Sequence, residues 1–166
     1  MWAVLLWTGA LVLLDQASKA YVRANFNIGE FRPIIPGVLD IRHVENTGIA
    51  FGMFQGAGLW LAPVALLVAI VAVVGYIRSD SSERLFRLSM ILVTAGAAGN
   101  FIDRVFHGGR VTDFIDLRFI HVFNVADMCI TFAVALLAIR WIAEELRPKR
   151  DKAVPADSES GTGPGN

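Results

Sequence analysis

Residues 59–77 read LWLAPVALLVAIVAVVGYI, nineteen positions without one charged side chain. A helix of that length rises about 28 Å, which matches the hydrocarbon core of a bilayer. The uncharged stretch around it extends from 46 to 77, and further uncharged runs occupy 1–14, 88–102 and 128–139. Extended to their flanking residues, these runs predict helices at about 2–21, 59–77, 85–104 and 123–146. Composition agrees. Of 166 residues, 55% are hydrophobic and only 18% charged, where a soluble domain carries about 25% charged residues. The expectation is an all-α membrane protein with four transmembrane helices.

Other classes drop out early. Lys+Arg and Asp+Glu are both 15, so no net charge points to nucleic acid. Cys129 is the single cysteine, which rules out an internal disulfide framework and any CxxC motif. The three histidines, His43, His107 and His121, share no ligand spacing and read as loop residues. Neither a metal nor a cofactor is expected. The N-terminal run lacks a basic leader and a small-residue cleavage site, so it reads as a retained helix rather than a signal peptide.

Four spans put both termini on one side. The 78–87 loop holds Arg78, Arg84 and Arg87, and Arg147, Lys149, Arg150 and Lys152 follow the last helix. Segments 23–45 and 104–121 hold three arginines each. The positive-inside rule then predicts cytoplasmic termini. Residues 1–146 form the membrane domain, and 147–166, rich in Ser, Gly and Pro, read as a disordered cytoplasmic tail. Within 23–58, Pro36-Gly37 is a turn signal and Leu39–His43 alternates apolar with polar. Together with Phe31, Ile34 and Ile35, this predicts a small β-sheet and loop subdomain on the outer membrane face.

Polar residues gather at one end of the helices. Asp15 and Lys19 are i,i+4 on the first. Asn100, Asp103 and Arg104 share a face of the third, and Asn124 and Asp127 a face of the fourth. Charges in spans are costly and therefore tend to be functional. Asp113 and Asp116, in the segment before the fourth helix, join Asp15, Asp103 and Asp127 at the same face. Such a set suits a carboxylate pair that shares one proton and activates water, or a hard-metal site for phosphate chemistry. Each member also has a plainer reading. Asp15–Lys19 can be an intrahelical pair, Asp103–Arg104 an interface pair, Asp113 a solvated loop acid, and Asp127 a helix-dipole partner. Gly96 and Gly99 read as close helix packing, and Cys129 as a small apolar filler.

In order, the motifs are DQASK (15–19), ENTGIAFG (45–52), GNFIDR (99–104), VTDF (111–114) and FNVAD (123–127). This series resembles the lipoprotein signal peptidase (signal peptidase II) family, whose pattern is DQxSK, NxGxAF, GNxxDR, VxDF and FNxAD on four spans. The resemblance covers about 1–146. It implies a bacterial inner-membrane aspartic endopeptidase that cuts prolipoproteins just before their diacylglyceryl-modified cysteine. The implied dyad is Asp113 and Asp127. Asp15, Lys19, Asn46, Gly48, Asn100, Asp103, Arg104 and Asn124 correspond to residues that bind substrate or support the dyad. Arg104 is expected to fix Asp103 or the Asp113 segment. The implied partners are lipidated prolipoproteins and membrane lipid, with the enzyme acting as a monomer. Two other classes fit the acids alone. One is a metal-dependent lipid phosphotransferase; the other is a small transporter with Asp15, Lys19 and Asp127 as relay groups.

Overall fold

The computed structural model describes residues 2–48 and 53–146. The elements are α1 (Trp2–Asn25), β1 (Phe31–Ile35), β2 (Leu39–Asn46), α2 (Gly58–Arg78), α3 (Arg84–Phe106), β3 (Val111–Asp116) and α4 (Val125–Glu145). The expected tail at 147–166, and 49–52 of the second motif, lie outside the described residues.

The protein is mostly helical, and α2, α3 and α4 are each long and apolar enough to cross a membrane. On length and composition α1 is not among them, because Asp15, Gln16, Ser18 and Lys19 dilute its second half. α3 is central and packs against the other three helices, while α2 and α4 lie on either side of it with at most marginal mutual contact. The packing pattern is inverted relative to a water-soluble bundle. α2 buries Gly58, Ala62, Ala69 and Ala72, with Tyr76 its one large buried side chain, and leaves Leu66, Leu67, Ile70, Val71 and Ile77 exposed. Small residues let backbones approach closely, and large apolar ones face outward where lipid would cover them. Gly96 and Gly99 do the same for α3. A Cβ on Gly96 would lie 2.5 Å from the Ala126 carbonyl oxygen, and one on Gly99 2.6 Å from Asp15 Oδ2.

The sheet is antiparallel, in the order β1-β2-β3. β1 and β2 join through a turn in which Val38 N donates to the Ile35 carbonyl at 2.9 Å. Pro36 and Gly37 are its central residues, with Gly37 at φ +77°; proline presets the first position and only glycine adopts the second cheaply. β1 is exposed along its length and carries Pro33, as an edge strand tolerates. The third strand corrects the expectation for 111–116. This segment is no aqueous loop: it pairs with β2, Val44 opposite Asp113 and Asn46 opposite Val111, and is almost wholly buried. The sheet therefore reaches well beyond 23–58.

Of the helix ends that differ from expectation, two do so for a visible tertiary reason. α1 runs on to Asn25 because Val22 and Phe26 pack on Phe114 of β3. α4 starts at Val125 rather than 123, because Phe123 is held against β3. Its N–H donates to the Ile115 carbonyl at 3.1 Å, and its carbonyl accepts from Ile115 N at 2.8 Å.

Candidate active site

The β3–α4 junction sets the geometry. With Phe123 clamped to β3, Asn124 becomes the N-cap of α4. Its Oδ1 accepts from Asp127 N at 3.0 Å, and Asp127 Oδ2 accepts from Asn124 N at 3.3 Å, a reciprocal capping box. The box is legible in the sequence as Asn-x-x-Asp before an apolar run, and it fixes Asp127 relative to the strand that carries Asp113. Strand alternation directs Thr112 and Phe114 toward α1 and Asp113 to the other side.

Amides from three elements then converge on the two carboxylates. Asp113 accepts from Asn124 Nδ2 at 2.6 Å and from Asn46 Nδ2, at the end of β2, at 3.0 Å. Asp127 accepts from Asn100 Nδ2 at 2.8 Å. The orientation of the Asn100 amide is forced. Its Oδ1 receives Lys19 Nζ at 3.1 Å and Asn124 Nδ2 at 3.3 Å, and an ammonium can only donate. Burial, and then the negative charge of Asp127, push the Asp113 carboxyl up to about 7.

A charged layer lies behind the amides. Lys19, wholly buried, pairs with Asp15 at 2.8 Å and Asp103 at 3.3 Å. Asp15 Oδ1 accepts from Ala126 N at 2.9 Å, so α1 contributes a cap to α4. Asp103 Oδ2 accepts from Thr112 N at 2.9 Å and thereby holds β3 from α3. Buried charges are tolerable only when paired in this way.

The ten residues that the motifs assign to dyad or support belong to one connected network. Asp15, Lys19, Asp103 and Asn124 form its buried layer. Asn46, Gly48, Asn100, Arg104, Asp113 and Asp127 line a cavity of about 510 Å³. Its remaining walls are mostly apolar, from Leu61, Val64 and Val68 of α2, Ala97 of α3 and Ile130 of α4. Two placements correct the expectations. Arg104 reaches neither the Asp103 side chain nor the Asp113 segment. It donates instead to the Gly48 carbonyl at 2.9 Å and the Asn100 carbonyl at 3.4 Å, and Gly48 N donates to Asn46 Oδ1 at 2.9 Å. Asp116 stands apart and pairs with Arg42 at 2.9 Å.

His107 and His121 lie in loops as expected, but His43 does not. His43 is buried in β2, its Nδ1 2.9 Å from the Phe26 carbonyl oxygen, and His121 lines the cavity. Sequence reasoning also passed over Gln16, whose Nε2 donates to Asp15, Gly99 O and Asp103, and Arg23, which donates to Thr112 Oγ1 at 2.9 Å. Gln16 and Thr112 sit inside quoted motifs; Arg23, one turn beyond Lys19, was marked only by its helical spacing. Among the described residues, no group of three or more His, Cys, Asp or Glu is close enough to hold a metal ion.

Similarity to known proteins follows the same core. The family model described as signal peptidase (SPase) II matches residues 7–143. The lipoprotein signal peptidase of Syntrophomonas wolfei is 41% identical over 141 residues, covering 85% of this chain and 93% of that protein. That of Moorella thermoacetica is 40% identical over 127 residues, covering 76% and 84%. A solved bacterial membrane enzyme superposes with a TM-score of 0.84 at 30% identity, covering 93% of this chain and 95% of that one.

Proposed function

The chain belongs to the signal peptidase II family, a family of membrane proteases, and from that premise we propose that it is an aspartic endopeptidase with Asp113 and Asp127 as its dyad. The substrate is a bacterial prolipoprotein, cut on the N-terminal side of its diacylglyceryl-modified cysteine. The observation that carries this is the convergence of two acids, held only by neutral amide and backbone donors, on a cavity with otherwise mostly apolar walls.

Two neighbouring carboxylates cannot both ionise cheaply, so the pair keeps one proton near neutral pH. The raised Asp113 favours that residue as the proton carrier and Asp127 as the base. Asp127 takes a proton from water as the oxygen attacks the scissile carbonyl, while Asp113 donates to the carbonyl oxygen. Collapse of the tetrahedral intermediate breaks the C–N bond, and the proton goes to the departing cysteine nitrogen. The apolar walls accept the signal segment and the acyl chains.

The membrane arrangement belongs to the same proposal. α1 is a fourth span, because Asp15, Gln16 and Lys19 are turned inward and paired while Leu5, Leu6, Leu13 and Leu14 are exposed. The dyad and the sheet then lie at the outer face of the inner membrane, with both termini cytoplasmic and the protein a monomer. Residues 1–146 are the peptidase domain, and 147–166 a cytoplasmic tail.

A gel-shift assay with a diacylglyceryl-modified prolipoprotein tests the reading. Cleavage should persist in EDTA and be lost in Asp113→Asn and Asp127→Asn. Cleavage that needs Mg²⁺, or that survives either substitution, would overturn it.

A further inference from the structure

The polar side chains that line the large cavity belong to the dyad, bond to it, or stand on the sheet side of it, with one exception among the described residues. Thr131 lies four residues after Asp127, on the same face of α4 and about 6 Å further from the sheet. Its surroundings in the cavity are apolar: Ile130 beside it, Ala97 of α3, and Val64 and Val68 of α2. The side chain is exposed, and its hydroxyl has no hydrogen-bond partner among the described residues. Ser89 and Thr94 of α3 show the usual alternative, for each donates to the carbonyl four residues earlier, at 2.9 and 2.7 Å. Thr131 leaves that device unused.

Resting on the endopeptidase reading, we propose that Thr131 is a substrate-binding residue, its Oγ1 donating to a carbonyl oxygen of the prolipoprotein inside the apolar part of the cavity. A hydroxyl without a partner is costly in an apolar medium, and so is a bare carbonyl. Cleavage needs the scissile carbonyl free for Asp113 and for the attacking water, so the signal segment is extended rather than helical there. Its neighbouring carbonyls then enter the apolar cavity without partners from their own segment. The segment runs from the dyad toward the cytoplasmic side, as α4 does.

Distance sets the register. An extended chain advances about 3.3 Å per residue, so two residues cover the interval of about 6 Å between the levels of Asp127 and Thr131. The carbonyl that meets the hydroxyl is then that of the third residue before the lipidated cysteine. The ester carbonyls of the diacylglyceryl group are acceptors of the same kind and share the cavity. From either source, the bond fixes how far the substrate slides along α4, and so which carbonyl comes to rest between the two aspartates.

The test uses the full-length enzyme, its Thr131→Val and Thr131→Ser variants, and two prolipopeptides, one diacylglyceryl-modified and one carrying the ether-linked dialkyl analogue. Valine keeps the β-branching and lacks the hydroxyl. The expected kcat/KM of Thr131→Val on the diacyl substrate is about three- to tenfold below wild type, the worth of one neutral hydrogen bond, with Thr131→Ser within about twofold. The melting temperature of Thr131→Val in detergent should not fall, because the hydroxyl holds no other described residue in place. A valine loss that persists on the dialkyl substrate supports the site and assigns the carbonyl to the signal segment; a loss confined to the diacyl substrate supports it and assigns the carbonyl to the acyl esters. Full activity of Thr131→Val on both substrates, or a loss that Thr131→Ser shares or that comes with a lowered melting temperature, would overturn the site while leaving the endopeptidase reading intact. Failure of the wild type to cleave the diacyl substrate would overturn both.

Discussion

Replacing Asp113 by Asn should abolish cleavage and at the same time change how stability depends on pH. Burial and Asp127 hold the folded carboxyl at about 7, against an ordinary value of 3.8. The folded state therefore binds the proton more tightly than the unfolded chain, and stability falls as pH rises from 3.8 toward 7, then levels off. The full shift corresponds to about 4 kcal/mol, of which the wild type loses about 3 kcal/mol between pH 5 and pH 8. An asparagine has no such proton to lose. It carries a fixed cost instead: its one oxygen cannot serve both Asn46 and Asn124, and the leftover clash of amide donors costs about 1–3 kcal/mol at every pH. The difference between variant and wild type should thus move in the variant's favour by about 3 kcal/mol from pH 5 to pH 8, or about 5–10 °C in melting temperature. Thermal melts of the purified protein in detergent at the two pH values measure this directly, since other titrating groups cancel in the comparison. Parallel losses in the two proteins would refute the reasoning, for they would mean that Asp113 ionises as an ordinary carboxyl.

Further outcomes follow from the same geometry. The wild-type kcat/KM should fall above about pH 7, to about a tenth at pH 8 and a hundredth at pH 9, as the pair loses its last proton; a flat profile to pH 9 would contradict a protonated partner. Lys19→Met leaves Asp15 and Asp103 buried without their common cation and should cost about 3–5 kcal/mol, read as loss of folded protein in detergent; Lys19→Arg, which keeps the charge, should lose less. Gly99→Ala forces a Cβ to within 2.6 Å of Asp15 Oδ2; a sharp drop in melting temperature is expected, and a normal one would mean that α1 and α3 separate more easily than their packing implies.

The helices were legible because an apolar run long enough for a bilayer leaves few alternatives. The β1–β2 hairpin was legible because Pro36-Gly37 and the alternation after it are local signals. β3 was not, since Val111–Asp116 is buried on both faces and owes its form to pairing with a strand some seventy positions earlier. The same distinction holds in the site. Its residue types were visible in the motifs, and so was the i,i+3 relation of Asn124 and Asp127. The target of Arg104 was not, because it is a backbone carbonyl, and sequence does not announce carbonyls. His121 was set aside for lack of a ligand partner, although what places it at the cavity is its position three residues before the cap of α4.

The division between the amide layer and the charged layer has its own logic on the proposed reading. An ammonium or guanidinium hydrogen-bonded directly to Asp113 would favour its ionised form and pull the carboxyl down, removing the proton that the acid role requires. Asn46 and Asn124 orient the carboxylate with two hydrogen bonds while adding no charge. The cation needed to hold three helices and a strand together sits one layer back, where Lys19 is neutralised by Asp15 and Asp103. Besides its charge, felt by Asp113 through space, it acts on the dyad through Asn100, whose oxygen it binds and whose NH₂ is thereby turned to Asp127. Positive charge thus organises the site without a hydrogen bond to either carboxylate, while Lys19 and Arg104 still act on the pair through space. A site that set Lys19 directly against Asp113 would be easier to fold and harder to protonate.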